Sequence, residues 1–170
     1  GIGASTRVLA RRAGISEAVI YQRYATKAEL FFAAMVPPPL SVVHLFQAGD
    51  QDADVLSHLE DITLGIVDYF REMMPILVPL MSHPSFDIEE MAHRNPDSPL
   101  DRIRIGFMDY LETQQRLGNI APGNMGPTVL TLVATAHSLA LFEMIGAHGG
   151  RFDEGIVRAM VRSLWSGIAP

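Results

Sequence analysis

Apolar residues recur at steps of three and four along nearly the whole chain, and alternating apolar and polar residues never persist long enough to build a sheet. That periodicity restricts the fold to helices packed on helices. Proline and glycine divide the pattern into about nine helical pieces. Residues 5–12 start at a Ser5 or Thr6 N-cap and stop at Gly14. Residues 16–23 start at Ser16. The third piece begins at Thr26, with Glu29 three residues on as in a capping box, and ends at Met35 before Pro37-Pro38-Pro39. Pieces at 40–47, 52–74 and 75–81 follow. The longest carries Val55, Leu59, Ile62, Ile66, Phe70 and Met73 on one stripe. Residues 83–99 read as a loop with one turn near Ile88. Residues 100–117 turn Ile103, Phe107 and Leu111 inward and stop at Gly118. Residues 127–147 are apolar around most of the helix, and 153–168 close the chain on a broad apolar stripe. No internal repeat is visible.

Composition narrows the function. With 170 residues, 48% of them apolar and 19% charged, the chain folds as one domain with at most a small appendage. It has no cysteine, which excludes disulfides, thiolate zinc sites, iron–sulfur clusters and cysteine nucleophiles. A net charge of −6 argues against coating a polyanion all over. The charge is uneven, however. Residues 1–35 hold five basic and two acidic residues, and the remainder holds eight and seventeen. A basic head on an acidic body suits a polyanion met by the head alone. The proline triplet marks the boundary, giving a head at 1–36 and a body at 37–170.

The head carries the informative motif. Two short helices flank a tight Ala13-Gly14-Ile15 turn, and Ser16 caps the second. This is helix-turn-helix spacing. Leu9, Ala10, Ala13, Ile15 and Ile20 are expected to share a small core. The segment from Ser5 to Ser16, followed by Ile20-Tyr21, Tyr24, Lys27 and Leu30, resembles the DNA-binding head of the TetR family of transcriptional regulators. The resemblance covers about 30 residues at the right spacing throughout; the rest of the chain is similar in layout only. It implies an all-α fold, a helix-turn-helix head followed by a larger helical ligand-binding and dimerisation domain. It implies that Glu17, Ala18, Val19 and Gln22 face base edges. Thr6, Arg7, Tyr21, Arg23 and Lys27 would hold phosphates or nearby bases.

This sequence departs from the family pattern at several points. The family has a helix before this segment, and only Gly1–Ala4 precede it here, so that first helix is expected to be missing. Glu17 is acidic where a groove-facing residue is usually neutral or basic. Ala25 stands where proline is common. The proline triplet is unusual just after the head.

No other constellation carries chemistry. None of the six histidines pairs with another at i+3 or i+4, and there is neither a nucleophile elbow nor a phosphate-cradling glycine loop. No enzyme, metal or cofactor is expected. Glu89 and Glu90 read as solvated. Phe70, Met74, Phe107, Met108, Leu111 and His137 suit either ordinary core packing or an apolar effector pocket; the resemblance favours the pocket. Leu132, Ala136, Leu139, Ala140, Val161, Leu164 and Trp165 are too apolar for one protomer alone and are expected at a two-fold helical interface. Residues 128–145 contain Thr128, Thr131, Thr135, His137, Ser138 and Glu143, too polar for a lipid-facing span, so a buried helix and no membrane partner are expected. No basic-then-apolar leader opens the sequence, and a cytoplasmic location is expected.

The function expected from all this is a homodimeric, ligand-responsive regulator, most simply a repressor on a palindromic operator in double-stranded DNA, released by a small apolar effector. The alternative is a helical ligand-binding or protein–protein adaptor without DNA binding.

Overall fold

The structure, a computed structural model, describes residues 5–35, 42–47, 54–82, 84, 87 and 98–169. Among them every regular element is an α-helix. In chain order these are α1 (Thr6–Ala13), α2 (Glu17–Arg23), α3 (Lys27–Met35), α4 (Val42–Gln47), α5 (Val55–Met81), α6 (Pro99–Arg116), α7 (Gly126–Met144) and α8 (Glu154–Trp165). The turn expected near Ile88, the acids Glu89 and Glu90, and the head–body boundary at 36–37 lie outside the described residues.

Local chemistry sets the helix ends. Gly14 adopts the left-handed conformation at φ 69°, where a Cβ would be strained, and Ile15 N–H returns to the Ala10 carbonyl at 3.0 Å. The Thr26 hydroxyl accepts from Glu29 N–H at 3.1 Å, and Glu29 reaches back to Ala25 N–H at 2.6 Å. This is the expected reciprocal cap, its return bond falling one residue early. Ser98 caps α6 through Asp101 N–H at 3.1 Å, and Asp153 caps α8 through Ile156 N–H at 2.9 Å.

One expectation is corrected. Residues 52–74 and 75–81 do not form two helices; α5 runs unbroken to Met81 with Pro75 and Pro79 inside it. Both prolines lie on the exposed side, so the carbonyls they leave unbonded can be hydrated. Met74 is buried, and Leu77 and Val78 pack on the core, so apolar contact holds this end of the helix together.

The core lies in the body. Leu59, Ile62, Ile66 and Phe70 of α5 meet Phe107 and Leu111 of α6, Val129, Leu132 and Ala136 of α7, and Val157 and Val161 of α8. Helix α4 lies against α5 and α6 where they carry glycine. A Cβ on Gly65 would come within 2.6 Å of Leu45 Cδ2, and one on Gly106 would overlap the Phe46 ring. Phe46 then meets Phe107 edge-on, with centroids 5.3 Å apart.

Polar bonds fasten the body's far ends. Arg71 on α5 grips Glu143 on α7 with two bonds, of 2.8 and 2.6 Å, and also donates to the Phe152 carbonyl at 2.9 Å. Phe152 N–H donates to Glu143 at 2.8 Å, so the α7–α8 loop is tied to α5. The arginine holds the Glu143 carboxyl below the ordinary glutamate range. Glu60, only 3% exposed, receives Arg158 at 2.9 Å and Arg162 at 2.7 Å from α8.

Candidate nucleic-acid interface and body sites

Helices α1 and α2 meet around Ala10 and Ile20, which are 3% and 6% exposed. Leu9, Ala13 and Ile15 do not join them as expected; all three are exposed, because the buried contact between two such short helices ends at Ala10 and Ile20. Of the residues expected to touch DNA, Arg7, Ala18, Val19, Tyr21, Gln22 and Arg23 are exposed and Lys27 is half-buried. Arg11 and Arg12 add exposed positive charge at the end of α1. The Arg23 guanidinium lies 5.9 Å from the Tyr24 ring centre.

Thr6 and Glu17 are placed differently from the rest. Thr6 is buried, and its hydroxyl donates to Glu17 Oε1 at 2.5 Å. The Tyr21 hydroxyl lies 3.3 Å from the Thr6 hydroxyl. Arg7 Nε lies 3.8 Å from Glu17 Oε2. The Thr6 side chain therefore faces the interior of the head, its hydroxyl proton directed to a carboxylate. Sequence spacing gave no sign of this cluster, because its members lie 11 and 15 residues apart.

Residues 1–34 match the family model described as bacterial regulatory proteins, tetR family. Over that stretch the chain is similar to the heads of such regulators. The match spans the α1–turn–α2 unit with its exposed arginines, and a body that is all-helical where described follows it. No curated protein and no solved structure matches the chain.

In the body, Phe70, Met74, Phe107 and Leu111 are all buried in the common core, with Met108 packed against it. His137 is half-buried and meets Phe70 edge-on, centroids 5.3 Å apart. The structure thus gathers the expected effector residues in one cluster, as tightly packed core. A polar point near them escaped the sequence reading. His58 packs edge-on against Tyr110 at 4.9 Å, and its Nε2 is buried without a hydrogen-bond partner among the described residues. Burial, with Asp54 adding to it, pushes the Tyr110 hydroxyl up to about 12.

The residues expected at a two-fold interface lie on the body core. Leu132, Ala136, Leu139, Ala140 and Val161 are buried inside their own protomer against α5, and Leu164 and Trp165 pack on the same core. Being apolar on most of its circumference, α7 offered two stripes, and the sequence did not say which one α5 would cover. The outer one holds Leu130, Ala134, Ser138 and Phe142 at steps of four, with Leu130 70% and Phe142 46% exposed. With Thr131, Thr135, Leu139 and Met160 they line an open groove of about 360 Å³ on α7 and α8. By length and composition α7 could cross a membrane, yet its inner stripe is part of the core.

Proposed function

We propose that the chain is a homodimeric repressor, working in the cytoplasm, that reads a palindromic operator and is released by a small, largely apolar effector. The head spans 1–36 and the body 37–170 in this reading. The observation that carries it is the tetR-family head, with Ala18, Val19 and Gln22 exposed on α2 beside exposed arginines. Phosphate contacts from Arg7, Arg23 and Lys27 would fix the head on the duplex, and the exposed α2 side chains would read base edges in the major groove.

The outer groove supports the dimer. Ala134 and Ser138 are small, so two copies of α7 can approach closely there, while each copy's Leu130 and Phe142 close over the ends. A two-fold pair of heads would meet two half-sites about 34–36 Å apart, one helical turn of DNA. The methionine-rich cluster around Met74 and Met108 supports an effector that enters by repacking the core, since methionine adapts its shape, and His58 offers one polar contact. The effector acts by binding one head spacing better than another, so effector and operator must weaken each other's binding equally.

Selection from random duplex DNA by the full chain tests the reading. It predicts enrichment of a palindrome, loss of that binding in Lys27→Glu with the dimer intact, and monomers at micromolar concentration in Ala134→Arg. A folded wild-type dimer that enriches no sequence sinks the repressor and favours an adaptor. A wild-type monomer by sedimentation removes the interface.

A further inference from the structure

Glu17 is an anomaly on a helix meant to approach phosphates, and its surroundings resolve the anomaly. Both carboxylate oxygens already face partners inside the head, Oε1 taking the Thr6 hydroxyl at 2.5 Å and Oε2 lying 3.8 Å from Arg7 Nε. Thr6 is 6% exposed, so withdrawing the carboxylate would leave its buried hydroxyl the longer, neutral contact with the Tyr21 hydroxyl at 3.3 Å. The apolar contact between α1 and α2 is small, Ala10 against Ile20, and such a contact is non-directional. It leaves the rotation of one helix over the other weakly specified. A short hydrogen bond to a carboxylate is directional and stronger than a neutral one, and it joins the first residue of α1 to the first residue of α2.

We infer that Glu17 is a positioning residue for DNA binding: it fixes the crossing of α1 over α2 through Thr6 and reads no base. This rests on the DNA-binding reading above and corrects the expectation that Glu17 faces a base edge. Base reading then falls to Ala18, Val19 and Gln22, which are exposed. Arg7, 85% exposed in its side chain, is drawn toward Glu17 and partly neutralised by it.

Three variants of the full chain separate the possibilities. Glu17→Gln keeps an acceptor for Thr6 and removes the charge. Glu17→Ala and Thr6→Val each remove the bond. Amide exchange of α1 and α2 is read first: protection is kept in Glu17→Gln and falls about tenfold in the other two. DNA selection is read second. Wild type and Glu17→Gln enrich the same sequence, and Glu17→Gln binds any duplex about threefold or more tighter at low salt, its log–log salt slope steeper by about 0.9 as Arg7 reaches a phosphate. A changed base preference at one half-site position in Glu17→Gln overturns the inference, because Glu17 then reads that base. Unchanged protection in both Glu17→Ala and Thr6→Val overturns it too. If the wild type enriches no sequence, the regulator reading falls, and the exchange experiment still decides whether Glu17 holds the crossing.

Discussion

The head and the body are held together by different physics. In residues 5–35 the apolar side chains buried among those described are Ala10 and Ile20, and polar devices order the segment beside them: the Gly14 turn, the Ser16 and Thr26 caps, and the Thr6–Glu17 bond. The body instead encloses a continuous apolar core reaching from Leu59 to Val161, with Arg71–Glu143 and the Glu60 cluster fastened around it. On the proposed DNA-binding reading, a surface that meets a polyanion cannot also be apolar, and the described part of the head accordingly exposes its arginines. Local opening should therefore cost far less in the head than in the body.

Four substitutions test that contrast, from the largest expected effect to the smallest. Phe107→Ala removes a fully buried ring where α4 and the central helices meet and should cost the body about 3–5 kcal/mol in a denaturant titration. A loss under 1 kcal/mol would mean that the core is far looser than its burial implies. Next comes Arg71→Met, which leaves the Glu143 carboxylate without its partner at a site where the pair's side chains are 14% and 11% exposed. The expected cost at neutral pH is about 3 kcal/mol. Because Glu143 is held below its ordinary value of 4.5, its contribution is complete above that value and lost as pH falls through the depressed one. The stability gap between wild type and Arg71→Met should therefore narrow on acidification below the ordinary glutamate range, and a gap independent of pH would rule the ion pair out as its cause.

Gly106→Ala sharpens the comparison inside the body. The added Cβ meets the Phe46 ring, so α4 must move while the core stays intact. We expect about 2 kcal/mol, with amides of 42–47 exchanging faster before any global change. The smallest effect belongs to the head. Gly14→Ala forces a Cβ into φ 69° and should cost about 1 kcal/mol, confined to exchange of α1 and α2 amides. A matching fall in the body's denaturation midpoint would show that the two regions unfold together, which would end the contrast.

Much of this protein was legible in one sequence because its signals are local. Helical periodicity, Gly14, Ser16 and the Thr26–Glu29 pair act within a few residues, and the structure keeps them. The head motif was legible for the same reason, since its spacing lies within one short segment. Three matters were decided only by tertiary packing. The continuity of α5 through Pro75 and Pro79 depends on core contacts made by Met74, Leu77 and Val78, which outweigh a local helix breaker. The choice of which apolar stripe of α7 faces α5, and so which is left outside, depends on a partner more than 40 residues away in sequence. The use of Thr6 and Glu17 inside the head depends on a crossing of two helices that no residue spacing encodes. Periodicity gives each helix its faces and caps give it its ends; which face meets which neighbour is a property of the packed whole.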